Sequence, residues 1–204
     1  MARLKGSVGA ETKVAILSTA LPMIAQYGYS AVSMRQIAEA VGVNVSALYN
    51  HFPNKQQILL RLMTDHMDSL MAAWGNQDIN GKTVVEQLEI FTRFHIRFNI
   101  EKPKAVFIAF MELRSLEPEG HKIIEKQRRA YEDVLREIIR AGMDDGFFQT
   151  PDAHVAAMSI LGSLTGVNTW FKVGGRLSQK QIEDTYVDLT LRSVGYEAKR
   201  IPNV

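Results

Sequence analysis

Between Val41 and Lys55 the chain reads VGVNVSALYNHFPNK: a short apolar run, then Tyr-Asn-His-Phe, a Pro-Asn break and a lysine, without one acidic residue. Hydroxyl, amide, phenol, imidazole and ammonium groups gathered on one turn-bounded segment suit contact with a polyanion. An amide such as that of Asn50 can pair bidentately with adenine, and Tyr, His and Lys reach phosphate oxygens. A carboxylate in the same place would repel a phosphate backbone. The same aromatic residues could instead be core at a helix junction, so the elements around them decide.

Those elements read as helices. SMRQIAEAVG opens on Ser33 with Gln36 three residues on, a capping-box pattern, and closes at Gly42. Asn44 can cap a very short helix that ends near Phe52, because Pro53 disfavours continuation. Helices over 33–41 and 45–52, joined by Gly42-Val43-Asn44, have the length and turn chemistry of a helix-turn-helix, whose second helix enters the DNA major groove. Ile37, Ala38 and Val41 form the inner face of the first helix, and Leu48 and Phe52 bury the second. Val45, Ser46, Ala47, Tyr49 and Asn50 are then left facing outward.

Before this motif, TKVAILSTALPMIAQYG carries apolar residues at helical spacing, with Pro22 as a possible kink and Gly28 as a stop. After it, Asn54 with Gln57 repeats the cap pattern, and long apolar-periodic runs follow. Thr150 reads as a cap with Pro151 at the first helical position, and Ser178 with Gln181 as another capping box. The reading is all-α: about nine helices, no convincing strand, short loops and no flexible linker.

The chain has 204 residues, 46% apolar and 23% charged, with no cysteine. That excludes a disulfide framework and a thiolate metal site. The net charge of +2 is unevenly placed: residues 1–60 hold five basic and two acidic residues, so the positive balance lies in the first third. The opening MARLKGSVGAETK runs into polar residues rather than an apolar stretch, so no secretory signal is expected. HVAAMSILGSLTGV is too short and too interrupted to span a bilayer. A cytoplasmic protein with no membrane partner is expected.

The stretch TKVAILSTALPMIAQYGYSAVSMRQIAEAVGVNVSALYNHFPNKQQIL closely resembles the N-terminal DNA-binding domain of TetR-family transcriptional regulators. The likeness lies in Gly28-Tyr29, the Ser33-Met34-Arg35-x-Ile37-Ala38 helix, Gly42-Val43, Leu48-Tyr49, His51-Phe52 and Lys55. The resemblance implies a helix-turn-helix DNA-binding domain over 8–54 and a ligand-binding and dimerisation domain over 55–204. It implies that Ser33 and Arg35 hold phosphate, that Val45, Ser46, Ala47 and Asn50 face bases, and that Tyr49, His51 and Lys55 face the backbone. The sequence departs from the family at Asn44, more often Ser, and at Val45, often a longer polar residue. The cap chemistry is expected to survive both changes.

Further on, Phe91, Phe94, His95 and Phe98 share one helical face, and Phe107, Phe110, Met111 and Arg114 repeat the spacing on the next. Facing each other, the two rows could line an apolar cavity with a few polar handles, or could simply be core. Ala153, Ala156, Ala157, Gly162, Ser163 and Gly166 permit close helix approach, and Tyr186, Leu189 and Leu191 follow. Such a hairpin suits a two-fold homodimer interface or internal packing. NTWFKVGGRLSQKQIEDTYVDLTLRSVGY, which includes Trp170, is similar to the tail of the family's acyl-CoA-responsive subgroup. That likeness implies an acyl-CoA thioester as effector; an acyl chain could lie among the phenylalanines, and Arg93, Arg97, Arg114 or Arg176 could meet its phosphates or be solvated surface charges.

Enzyme readings are weak. GNQDINGKT has one residue too many between its glycines for a phosphate-binding loop, and no strand precedes it. No His pair has metalloprotease spacing, and Glu112, Glu117 and Glu119 read as a solvated helix end. The expectation is a non-enzymatic regulator without a cofactor: a repressor released from a palindromic double-stranded DNA operator by a small apolar effector. A non-sensing architectural DNA binder or a small helical enzyme are the alternatives.

Overall fold

The computed structural model describes residues 5–197; Arg3, one of the basic residues of the first third, lies outside them. Among the described residues there are nine α-helices and no strand: α1 (Lys5–Tyr27), α2 (Met34–Val41), α3 (Val45–His51), α4 (Lys55–Gly75), α5 (Val84–Glu101), α6 (Pro103–Met111), α7 (Pro118–Asp144), α8 (Ala153–Trp170) and α9 (Gln179–Ser193). A 3-10 turn, Leu113–Ser115, joins α6 to α7. No helix of the described residues is long and apolar enough to cross a membrane.

Several starts and stops follow local chemistry. Ser33 accepts the Gln36 backbone N–H at 3.2 Å while the Gln36 side chain accepts the Ser33 N–H at 2.8 Å, satisfying two donors that the first turn leaves free. At the far end Gly42 sits at φ 79, and the Val43 N–H reaches the Ala38 carbonyl at 3.0 Å. That closure needs a left-handed residue, which glycine adopts without a Cβ penalty. Ser178 and Gln181 form a second capping box, and Asn54 accepts from the Gln57 N–H at 2.9 Å. The GKT of the near-miss phosphate loop has a structural use: Thr83 and Glu86 exchange cap bonds at the start of α5.

Three local expectations are corrected. Asn44 occupies the N-cap of α3 but makes no side-chain cap bond. The cap of α8 is Asp152, whose carboxylate accepts the Val155 N–H at 2.8 Å, so Thr150 and Pro151 precede the helix. Glu112 is no solvated helix end; it is 9% exposed and bonded within the fold.

The described chain divides into two compact units. One holds residues up to Ser69 together with Lys102–Gln127; the other holds Leu70–Glu101 and Arg128 onward. The first unit therefore packs α1 to α3 and most of α4 with α6 and the start of α7. Its core joins Ile16, Ala20 and Ile24 of α1, Ile37 and Ala38 of α2, Leu48 of α3, Ile58, Leu59 and Met63 of α4, and Ile108, Leu116 and Ile124.

A polar latch supplements that core at the α1–α2 connection. The Lys55 ammonium donates to the carbonyls of Tyr29 and Val32, both at 2.7 Å, and lies 4.1 Å from the centre of the Tyr29 ring. Glu112 accepts the Tyr29 N–H at 3.0 Å and the Ser115 hydroxyl at 2.6 Å. Gln56 donates to the Ser115 carbonyl at 2.8 Å and accepts the Glu117 N–H at 3.0 Å. The turn after Gly28 (φ 83) is thus fastened to α4 and to the α6–α7 joint.

In the second unit α5 packs on α8 and α9. Trp74, Phe91, Phe94, Phe98 and Tyr131 form an aromatic cluster with ring centres 5.1 to 5.8 Å apart, within the range where edge and offset contacts add to burial. Arg97 binds Glu183 bidentately at 2.8 and 2.6 Å, and Arg93 meets Asp184 at 2.6 Å. Burial alone would raise the pKa of Glu183, but hydrogen bonds from Arg97 and Gln179 and the two guanidinium charges hold it below the ordinary carboxylate value.

Two predictions concern the first unit. Glu112→Ala leaves the Tyr29 N–H without its acceptor and should cost about 1–3 kcal/mol, and Lys55→Met about 1–2 kcal/mol. Because both hold the same turn, the double variant should lose less than the sum, measured by urea denaturation. His66 of α4 is 8% exposed. Its pKa is lowered to about 4, by burial first and then by the Lys102 charge. The folded state disfavours the proton that the unfolded chain accepts near the ordinary value. Stability from this group is therefore complete above that value and lost as pH falls toward 4. Between pH 7.5 and 5 the loss should be about 2 kcal/mol, and His66→Gln should flatten the profile.

Candidate nucleic-acid interface

Helix α3 has seven residues, too few to hold a helix by itself. Its rotation is set by Leu48, which is fully buried, and by Phe52 just beyond its end at 7% exposure. With about 100° between successive residues, Ser46 and Asn50 lie opposite Leu48 and form the outermost ridge. Val45 and Tyr49 flank that ridge on one side; Ala47 and His51 flank it on the other. Burial agrees: Ser46, Asn50, Val45 and Tyr49 are exposed, and Ala47 and His51 half-buried. From Ala40 to Thr64 the sequence has no acidic residue, so no carboxylate from this segment offsets the field a phosphate would meet.

Ser33 and Arg35 are exposed at the start of α2. The Ser33 hydroxyl already points its proton to Gln36 Oε1 at 2.8 Å, which leaves its oxygen as an acceptor and its backbone as part of the cap. The Arg35 side chain is open to solvent. Lys55, expected at a phosphate, commits two of its three donors to carbonyls inside the protein. Burial, partly offset by the Glu112 charge, lowers its pKa. In geometry Lys55 is a strut of the helix-turn-helix with one donor left over.

The residues expected around an effector separate into two groups. Phe91, Phe94, His95 and Phe98 come together in the second unit and are buried, at most 7% exposed, against Trp74 and Tyr131 as packed core. Phe107, Phe110 and Met111 lie on α6 in the first unit with 40, 57 and 46% of their surfaces exposed. Arg114 is exposed on the 3-10 turn, and Trp170 is 50% exposed at the end of α8. Arg93 and Arg97 are engaged by Asp184 and Glu183.

His95 has a built environment. Its Nε2 lies 2.9 Å from the Asn99 amide nitrogen and 3.0 Å from the Thr165 hydroxyl, and its Nδ1 lies 3.0 Å from the Tyr131 hydroxyl. An amide N–H must donate, so Nε2 accepts; the ring is then neutral and Nδ1–H donates to Tyr131. Burial raises the Tyr131 pKa well above its ordinary value, so the phenol stays protonated. Sequence reasoning found His95 but missed Asn99, Tyr131 and Thr165. Asn99 is four residues on, on the same helical face, and was legible; the other two are distant in sequence and gave no signal.

On α8 the small residues also divide. Ala157 is 1% exposed and belongs to the core. Gly162 and Gly166 have open space where a Cβ would stand, and with Val155, Ser159 and Thr169 they mark one outward stripe at helical spacing. Val155 (64%) and Met158 (41%) of α8 and Leu189 of α9 (50%) are also exposed.

Comparison with known proteins finds matches to both parts of the chain. Residues 16–62 match the family described as bacterial regulatory proteins, tetR family. Residues 81–194 match the Tetracyclin repressor-like C-terminal domain. The chain is 27% identical to the HTH-type transcriptional repressor KstR2 of Mycobacterium tuberculosis, covering 97% of this chain and 99% of that one. It is 27% identical to the fatty acid metabolism regulator protein of Bacillus subtilis, covering 76% and 81%. Among solved structures, a tetR-family regulatory protein from Rhodococcus RHA1 superposes with a TM-score of 0.86 at 28% identity, over 92% of this chain and 98% of that one. AibR, solved with isovaleryl coenzyme A and operator DNA, superposes with a TM-score of 0.81 at 31% identity, over 87% and 97%. A helix-turn-helix with an acid-free outer face, carried by an all-helical chain matched over both its parts, belongs to the TetR family of DNA-binding transcriptional regulators.

Proposed function

We propose that this protein is a homodimeric repressor. Each subunit lays α3 in a major groove of a palindromic operator, and a small apolar effector releases the complex. The observation that carries the reading is the outer face of α3: Ser46 and Asn50 form its ridge, Tyr49 stands beside them, and buried Leu48 fixes the rotation. Asn50 can read adenine, and Ser46 either base edge. Tyr49, Arg35 and His51 serve the phosphates; Ser33, whose donors are both given to Gln36, fixes the start of α2, and Lys55 holds the motif together. Two such helices on a dimer match half-sites about 34–36 Å apart, or a multiple of that. The small-residue stripe of α8 with Leu189 of α9 is the surface proposed for the two-fold pairing.

For the effector, the reading is an acyl thioester of coenzyme A. Support comes from AibR, solved with such a ligand, and from the fatty acid regulator among the relatives. Within the second unit, His95, Asn99, Tyr131 and Thr165 form a neutral polar group set inside an aromatic shell. An acyl carbonyl could exchange hydrogen bonds with that set while the chain replaces ring contacts. Such a ligand relieves repression only through its greater affinity for the conformer with misplaced reading heads.

Fluorescence anisotropy with DNA from upstream of the protein's own gene, at two salt concentrations, tests the operator reading. Tight, sequence-dependent binding that weakens steeply with salt is expected. Binding indifferent to sequence would overturn it. Asn50→Ala should reduce discrimination between operator and scrambled DNA by about 1–3 kcal/mol. Tyr49→Ala should weaken binding to both without changing the melting curve. Titrating isovaleryl coenzyme A and longer acyl thioesters into the complex should lower the anisotropy; free coenzyme A should not.

A further inference from the structure

Val45 places an aliphatic side chain at the edge of the outward face of α3. It is a β-branched aliphatic residue at the first position of α3, and 37% of its surface is exposed. More than a third of the side chain stays open to solvent, and β-branching gives a helix nothing that alanine would not. It stands beside the Ser46–Asn50 ridge, one turn before Tyr49, at the end of the helix that approaches base edges in this motif. Base edges in the major groove present hydrogen-bond donors and acceptors, which an isopropyl group would desolvate without replacing. One feature there is apolar: the C5-methyl of thymine.

We propose that Val45 is a specificity-determining residue that reads this methyl group, so that each operator half-site carries a thymine at the position Val45 covers. The inference rests on the reading of α3 as the DNA-contacting helix and adds the chemistry of one base. Ala47, half-buried with a single methyl on the other flank, offers much less apolar surface. The polar residues of the ridge cannot make this choice, because removing the methyl leaves every hydrogen-bonding group of the base unchanged.

That property supplies the test. The full-length protein is used to select binding sites from a randomised duplex library. Each thymine of the selected site is then replaced in turn by deoxyuridine, which differs only by the missing methyl. Affinities are measured for the wild type and for Val45→Ala, each at a temperature where its melting curve shows it fully folded. In the wild type, one thymine per half-site should cost about fourfold on replacement, and about fifteenfold when both half-sites are changed. In Val45→Ala the same replacement should cost less than about 1.5-fold, since no side chain reaches the lost methyl. An enriched site at which the wild type tolerates deoxyuridine everywhere overturns the assignment of Val45 and leaves the DNA reading standing. An equal loss in wild type and variant does the same. A selection that enriches no sequence overturns both.

Discussion

A helix of seven residues cannot choose its own orientation. Leu48, buried completely in the first unit, makes that choice for α3, and the reading face depends on it. Rotate the helix by one residue and Tyr49 enters the core while Ala47 faces out; the polar ridge of Ser46 and Asn50 is lost. Burial of one leucine therefore sets which residues of α3 face outward. Its neighbours in that core come from α1, α2 and α4 and from Ile108, Leu116 and Ile124, so the reading face is held by residues on both sides of a long stretch of chain.

Around that apolar centre the α1–α2 turn is fastened by charged groups placed where they cannot be replaced by bulk. Lys55 and Glu112 take opposite ends of the Tyr29 peptide neighbourhood, one holding carbonyls and the other an N–H. Neither interacts as a plain ion pair; each satisfies backbone groups that a tight turn leaves without helical partners. The α6–α7 joint is thereby tied to the DNA-reading motif inside one compact unit.

The second unit is organised by different physics. Phe91, Phe94 and Phe98 are packed as core, His95 is paired inside with Asn99, Tyr131 and Thr165, and buried Glu183 is met at the surface by Arg97. Closed networks of this kind are costly to open without a replacement partner. A ligand that supplied hydrogen bonds and apolar surface together could exchange places with them; water alone could not.

Much was legible without a structure. Helical periodicity, Ser33 with Gln36, Gly42, and Ser178 with Gln181 are local signals, and local backbone chemistry decides them. So is most of the outward set on α3, because a buried position fixes the rest of a short helix; Ala47, also expected outward, is half-buried. Asn44 and Thr150 misled because a side chain able to cap is not obliged to, and Asp152 lay nearer the first free N–H of α8. What only the tertiary structure decided is the partnership of distant residues. Glu112 looked solvated until Tyr29, 83 residues earlier, came within reach. Lys55 looked free for phosphate until two carbonyls claimed it, and the two Phe rows looked alike until one was buried and the other left exposed. Sequence spacing fixes which residues share a face of one helix; which other element covers that face depends on packing across the whole chain, and no local pattern encodes it.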